Sequence, residues 1–516
     1  MADQQAETAH PPPENNTTAE STATTKPPVP NRRNPHPIPV YQRPNRAGWN
    51  ASGQAGFFGL WCVICYVVLF AIEDFAGDDK WTFWFTLLFL WRYARFVINL
   101  FGWFIYRPAR IPRNPYYGPE DVTVILPTID PGGEDFAECL RTCCENNPHS
   151  IFVVTAGNRL PATEAAVQPF QAEFPQINFL VDCSPVASKR AQVALMIPRV
   201  TTAITVMLDD HVFWKRNFLR AMLAPFDADD AVGMVGTNKA VRRLPNLGFN
   251  RRFWNLIGAM YLYRHNFEVR AANAIDGGAF VISARTCALR TEIIQLPEFL
   301  EGYANEMFFF GLFGPLNPDD DNYNTRFVVK KGWKLKFQYT DDAEITTTIG
   351  VVPPYAKKFL GQATRWARTT WRSNPRSLFV ERAVWAYNPI SVYTVFISAL
   401  TNFAIPTDLC LYYFFHWSEL YTTRLRGWVP TRNHGTVLLL GWMLFAKLVK
   451  QSGYWWRHPR DFLYFPLAIG FGYFHTFIKF YAMVTFWDHA WTGRNLKAVD
   501  AGAGPGNAAG MGGDDN

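Results

Sequence analysis

Asp319, Asp320 and Asp321 stand in a row. Adjacent carboxylates repel one another, which keeps a proton on at least one of them to higher pH unless a metal or an arginine compensates. A carboxylate poised in that way can take a proton from an attacking hydroxyl. Read alone, the triplet is more simply a solvated acidic turn after Pro318. Leu208-Asp209-Asp210-His211 brings two further carboxylates and an imidazole together. Their oxygens suit Mg²⁺ or Mn²⁺, the cations that neutralise a diphosphate, and imidazole is better tolerated by Mn²⁺. The bland alternative is a helix cap or a turn. Gln362-x-x-Arg365-Trp366 continues to Arg368, Trp371 and Arg372. On a helix, Gln362, Arg365, Trp366 and Arg372 fall near one face. Arginine grips pyrophosphate with two parallel hydrogen bonds, and a tryptophan face offers a platform for a sugar ring. A basic-aromatic belt beside a membrane would look the same. Ser188-Lys189-Arg190, following Asp182, supplies two cations for phosphate oxygens or for a solvated helix start. Asp276-Gly277-Gly278-Ala279 permits close backbone approach to a ligand, or a turn.

These groups need a scaffold. Val122–Leu126, Ile151–Thr155, Ile177–Val181 and Ile204–Leu208 are short β-branched runs separated by helix-like stretches. That alternation predicts a soluble α/β domain over residues 108–380, with a parallel sheet and crossover helices. Such sheets bind ligands beyond the carboxyl ends of their strands. The expected pocket therefore lies around Pro127–Asp130, Ala156–Asn158, Asp182–Arg190 and Asp209–His211.

The remainder is of a different character. Of 516 residues, 16% are aromatic and 18% charged, against about 25% charged in soluble proteins. The net charge of +7 comes without a basic stripe, which speaks against a nucleic-acid partner. Its cations instead flank apolar runs. The eight cysteines lack zinc spacing and read as small buried side chains. Residues 1–46 and 501–516 read as disordered tails, the first without the apolar centre of a signal peptide. Residues 50–107 hold two apolar runs, Gly56–Ile72 and Trp81–Tyr106, read as transmembrane helices. Arg92 and Arg95 in the second run require a bend or a neighbour to lean on. Arg32, Arg33, Arg43 and Arg46 precede the pair, and Arg107, Arg110 and Arg113 follow it, so both flanks should face the cytosol. Residues 381–487 carry three more runs. Pro389–Phe415 is long enough to span, with a kink expected at Pro406. Thr436–Val449 is shorter. Phe462–Trp487 contains Pro466, Gly470, Gly472 and Lys479 and is expected to lie at the interface or re-enter, not cross.

In this order and spacing the motifs resemble those of processive family 2 glycosyltransferases, the hyaluronan, chitin and cellulose synthases. They are most similar to hyaluronan synthases and fungal type 2 glycosyltransferases of extracellular polysaccharide, over residues 50–497. The resemblance implies a cytosolic GT-A-type nucleotide-sugar domain between membrane helices, at the plasma membrane. It implies a UDP-sugar donor, a growing polysaccharide acceptor and Mn²⁺ or Mg²⁺. Pro127-Thr128, with Asp130, would open the nucleotide pocket. Asp182, Lys189, Arg190, Asp209, Gln362 and Arg365 would complete the donor site. Asp209 and His211 would hold the metal, His211 standing where the family carries a second acid. Asp276, Gly277, Gly278 and Trp366 would meet the acceptor. In the Asp320-Asp321 pair, Asp321 would be the base. Residues 488–500 contain Trp491-Thr492-Gly493-Arg494, similar to a permuted gating loop, so Trp491 and Arg494 would close over the donor. The family's usual span after that loop has no counterpart here.

Three other readings compete. A non-processive transferase acting on a lipid or short acceptor would not need Gln-x-x-Arg-Trp. A transporter would not need clustered Asp at strand ends. A scaffold with a decayed metal site is the third, kept open by His211.

Overall fold

The computed structural model describes residues 51–244 and 247–490. The two tails and the Trp491–Arg494 loop lie outside the described residues. At the centre is a seven-stranded sheet. Its first strands are β1 (Val122–Pro127), β2 (Ser150–Ala156), β3 (Asn178–Ser184) and β4 (Ile204–Leu208). Every residue of β1, β2 and β4 is buried, as expected of strands covered on both faces. Alternate side chains feed two cores. Ile125, Val154 and Met207 enter one, and Val124, Leu126, Val153, Val206 and Leu208 the other. Each fully buried aliphatic side chain contributes about 1.5–3 kcal/mol. Cys139, Cys143 and Cys144 are buried thiols in the second core.

Further strands are β5 (Val212–Phe213), β6 (Val232–Thr237), β7 (Lys239–Val241), β8 (Thr286–Arg290), β9 (Lys334–Gln338) and β10 (Ile345–Thr347). The large sheet runs β3-β2-β1-β4-β8-β6-β9, and a small one runs β5-β10-β7. Strands β1 to β4 are mutually parallel, with Val124 opposite Ile151 and Val206. Here the all-parallel expectation needs correction: β8 is antiparallel to both β4 and β6. A five-residue buried run carries no signal of its direction, and β8 returns after a long helix.

Helices α1 (Ala51–Ala76) and α2 (Lys80–Ile105) have 26 residues each, about 39 Å of helix at 1.5 Å per residue. Both are long and apolar enough to cross a membrane. Asp79 caps α2, accepting from the Trp81 N–H at 2.9 Å. Helix α2 lies on α3 (Phe249–Asp276), so closely that a Cβ on Gly102 would sit 2.4 Å from the Ala271 carbonyl. Arg92 and Arg95 do lean on neighbours, pairing with Asp408 and Glu268 at 3.2 Å each. Helices α4 (Asp320–Lys330) and α5 (Tyr355–Pro375) belong to the site.

The run from Pro389 is sharply broken, whether it crosses once or re-enters. Pro389–Thr401 and α6 (Ala404–Trp417) meet at 94°. The break falls at Asn402-Phe403. Pro406 sits in the first turn of α6, where its missing N–H costs nothing. Helices α7 (Arg432–Val449) and α8 (Phe465–Met483) have 18 and 19 residues. Among the described residues only α1 and α2, or three spans if the bent pair counts as one, meet the length and apolarity of a crossing helix. Lys479 of α8 donates to the carbonyls of Ala399 and Asn402, at 2.8 and 2.6 Å, satisfying acceptors that the 94° break exposes.

Candidate active site

Strand β4 delivers Asp209-Asp210-His211 to the carboxyl edge of the sheet. The Asp209 N–H donates to the Arg285 carbonyl at 3.0 Å, which fixes the turn. Asp210 is buried and accepts from the Thr128 hydroxyl at 2.8 Å, while His211 Nδ1 lies 3.1 Å from its other oxygen. Thr128 Oγ1 in turn accepts from the Asp130 N–H at 3.1 Å. Lys189 opens the helix Lys189–Met196 behind the N-cap Ser188. Its ammonium stands 2.7 Å from Asp209 and 2.9 Å from Asp320. One cation thus stitches together two acidic segments that are far apart in sequence. Burial alone would raise Asp209, but Lys189 and His211 hold its pKa below the usual carboxylate value. Lys189 itself is held well above its ordinary value: burial opposes the charge, and Asp209 and Asp320 outweigh it.

The acidic triplet meets three different environments. Asp319, at φ +66°, precedes α4 in the left-handed region, an uncommon conformation for a side-chain-bearing residue. Its carboxylate accepts from Arg372 Nε at 2.7 Å and from the Thr369 hydroxyl. Burial works against the charge, yet Arg372 keeps its pKa low. Asp320 belongs to Lys189. Asp321, half-buried in the first turn of α4, has neither cation in contact. Burial first, then repulsion from Asp320 and Asp319, pushes its pKa to about 6, with Lys189 and Arg365 pulling the other way.

Helix α5 closes the site. Gln362, Arg365 and Trp366 share with Lys189, Asp209, Asp320 and Asp321 the lining of a cavity of about 630 Å³. The Arg285 guanidinium lies 5.2 Å from the Trp366 ring centroid, and Tyr261 lies 5.1 Å from it. The next turns of α5 do something else. Arg372 also donates to the carbonyls of Phe486 and Asp488, and Arg368 pairs with Asp488. They fasten the segment that leads towards Trp491.

A "Type 2 glycosyltransferase" of Pyricularia oryzae is 36% identical over 415 residues, 80% of this chain and 82% of that protein. The chain is a family 2 glycosyltransferase. A model described as glycosyltransferase like family 2 matches residues 119–369, from the approach to β1 to the middle of α5. A second "Type 2 glycosyltransferase", from Zymoseptoria tritici, is 37% identical over 421 residues, 80% of this chain and 84% of that protein. The "NDP-glycosyltransferase ltbB" of Aspergillus luteorubrus is 30% identical over 271 residues, 52% of this chain and 64% of that one. The glycosyltransferase has a mixed α/β fold around a central sheet, and its activity depends on a nucleotide-sugar.

The cavity gathers Pro127, Thr128, Lys189, Asp209, His211, Asp320, Asp321, Gln362, Arg365 and Trp366 as the motifs implied. Other assignments need correction. Arg190 is 1% exposed and faces away: it pairs with Glu306 at 2.8 Å and donates to the carbonyls of Tyr303 and Pro318. Successive side chains on a helix point about 100° apart, so of the two only Lys189 reaches the site. Asp182 pairs with Arg199 and does not line the cavity. Asp130 stands behind Thr128, also off its wall. Asp276, Gly277 and Gly278 form a structural joint. Gly277, at φ +78°, ends α3, and Asp276 accepts from the N–H and hydroxyl of Ser391, at 2.8 and 2.6 Å, at the start of the Pro389–Thr401 run. A Cβ on Gly278 would fall 2.1 Å from that hydroxyl, so the glycine serves packing and not a ligand. Trp491 and Arg494 fall outside the described residues.

Sequence reasoning missed Arg285, Tyr261 and the Lys239–His265 pair, 3.1 Å apart on β7 and α3. Burial and Arg285 lower Lys239 to about 7. No spacing signals a contact between a strand and a helix 26 residues on.

Among the described residues no group of three His, Cys, Asp or Glu side chains gathers as a ready metal site. Two carboxylates, Asp209 and Asp320, nevertheless converge on one point, which the Lys189 ammonium holds. Mg²⁺-type ions are commonly bound by one or two carboxylates with substrate phosphates supplying the rest. The residues therefore fit a cation that arrives with the donor. His211, with Nδ1 turned to Asp210, is 37% exposed and within the cavity wall.

Proposed function

We propose that this glycosyltransferase is embedded in the plasma membrane and transfers sugar from a UDP-sugar, with inversion, to the end of a growing extracellular polysaccharide. The observation that carries the reading is the extent of the cavity. It runs without interruption from the acidic cluster past Trp366 to side chains of α2, α7 and α8, helices of the apolar part of the chain. A transferase for a short soluble acceptor has no use for such a passage; a chain that must leave the site does. The Arg-rich flanks of α1 and α2 favour a cytosolic catalytic domain.

In this mechanism Asp321 is the base. A pKa near 6 leaves it ionised at cytosolic pH yet basic enough to accept a proton. It takes the proton from the acceptor hydroxyl, whose oxygen attacks the anomeric carbon from the face opposite the leaving UDP. Trp366 stacks on the acceptor sugar and orients that hydroxyl. Arg365 and Lys189 meet phosphate oxygens and stabilise their developing charge. Asp209, with His211, would hold Mn²⁺ or Mg²⁺, which would supply Lewis-acid stabilisation of the diphosphate.

The test is purified protein with a panel of UDP-sugars, scored for UDP release and product length. Distributive addition of single sugars would remove the polymerase reading and keep the transferase. No UDP release from any donor would remove both.

A further inference from the structure

At its inner end, beyond Trp366, the cavity changes character. Its walls there carry Arg92, Arg95, Arg264, Lys447, Lys450 and Lys479. Two carboxylates answer them among the described residues. Asp408 takes Arg92 at 3.2 Å and Lys447 at 2.7 Å, and Glu268 takes Arg95 at 3.2 Å. Lys479 is satisfied by backbone carbonyls, and Arg264 lies over the Tyr261 ring at 5.0 Å. The Lys450 ammonium has no hydrogen bond or ion pair among the described residues; Glu268 is the nearby acid whose field it feels. Unmatched cations enclosed between apolar helices are costly, and proteins keep them where they meet a ligand.

Two neutral groups share this wall. Asn99, 1% exposed, leaves its Oδ1 without a donor, and His475 leaves Nε2 without a partner. They are the kind of atoms that sugar hydroxyls satisfy. A run of rings leads here from the reaction centre: Trp366 to Tyr261 at 5.1 Å, then Tyr261 to His475 at 5.8 Å.

We infer that this inner vestibule binds an anionic group carried by the acceptor, a carboxylate on a sugar or a phosphate on a lipid-linked sugar, with Lys450 as its principal contact. The inference rests on the reading of the cavity as the acceptor's path and names the acceptor's chemistry. Neutral hydroxyl acceptors in the same wall favour the acidic sugar as the source of the charge.

The experiment measures binding without donor, on the full-length protein in neutral detergent at low ionic strength. The probes are hexagalacturonate against the same hexasaccharide with its carboxyls reduced, and undecaprenyl phosphate against undecaprenol. Hexagalacturonate should bind about tenfold more tightly than its reduced form, the worth of one partly desolvated charge-assisted contact. Lys450→Met should abolish that preference, and Lys450→Arg should keep it, which separates lost charge from lost packing. A preference confined to the lipid pair, and lost in Lys450→Met, would support the anion site and place the charge on lipid. Equal affinities within both pairs, or a preference untouched by Lys450→Met, would overturn the inference. UDP release measured on the same preparation keeps the two readings apart. Normal release with equal affinities sinks the vestibule alone; selective anion binding without release from any UDP-sugar sinks the transferase mechanism and not the anion site.

Discussion

Replacing Asp321 with Asn should make the protein more stable while removing transfer, and the two effects have one origin. In the fold Asp321 titrates at about 6, against 3.8 when unperturbed, because burial and its two Asp neighbours oppose its charge. A carboxyl whose folded pKa is raised favours folding in its neutral form. Its contribution is intact below about pH 4, declines as pH rises towards 6, and is lost above that. Asn mimics the neutral form at every pH. At about 1.4 kcal/mol per pH unit between the two values, the variant gains ~3 kcal/mol at most above pH 7. Residual solvent at a half-buried site reduces this to roughly 1–2 kcal/mol. For a chain of this size that is a rise of a few degrees in Tm. The assay is thermal unfolding of both proteins in detergent from pH 4 to 8. The difference should be near zero at pH 4, grow to pH 6 and then level off. Turnover of UDP-sugar should fall about 10²–10⁴-fold, as for loss of a general base, with donor binding kept. In the wild type, turnover should drop tenfold per pH unit below about 6. A variant that is less stable than wild type at pH 7.5, or one with near-normal turnover, would refute the reasoning. If Asp320→Asn alone abolished turnover, the base would be one residue earlier.

Asp209→Ala should weaken metal-dependent donor binding by more than tenfold, read by titrating UDP with and without Mn²⁺, because one of the two carboxylates around Lys189 is lost. His211→Asp should keep activity and shift the preference from Mn²⁺ towards Mg²⁺; lost activity with unchanged metal affinity would mean that His211 serves another role. Arg372→Met leaves the buried Asp319 carboxylate unpaired and should cost about 3–5 kcal/mol, seen as a lower Tm, with much of the loss recovered in Asp319→Ala/Arg372→Met. A cysteine at position 495 should react with a membrane-impermeant reagent only after cells are opened; labelling of intact cells would place the segment after α8 outside.

The parts of this molecule that were legible in its sequence are those in which neighbours in the chain are neighbours in space. Strands β1, β2 and β4 announced themselves because both faces are buried and nearly every position is apolar. Asp209, Asp321 and Trp366 were legible because short motifs carry them on one strand end or one helix turn. Direction was the first thing lost: five buried residues read identically along β8 in either sense. Partners were the second. Arg190 and Lys189 are adjacent and identical in charge, yet one is spent on Glu306 in the core and the other on Asp209 in the site. Asp276 looked like a ligand contact because Asp-Gly-Gly suits ligands and helix joints equally well. What distinguishes them is the Ser391 hydroxyl 115 residues later, a contact that no local pattern encodes.

The same limit hid where the later arginines of α5 go. Gln362, Arg365 and Trp366 reach the cavity, whereas Arg368 and Arg372, one and two turns on, reach Asp488 and Asp319. The helix therefore couples the acidic triplet to the segment following α8. Arg372 holds Asp319 with one edge of its guanidinium and the Phe486 and Asp488 carbonyls with the other. Movement of that segment would pull on the residue that sets the approach of α4, and Asp321 is two positions further along. The segment following α8 and the start of α4 are linked through one side chain. Arg372→Met should accordingly impair turnover more than its loss of stability accounts for. At a temperature where the variant is fully folded by circular dichroism, UDP release should still be reduced at least about tenfold. Unimpaired turnover in the folded variant would show that Arg372 is a brace and nothing more.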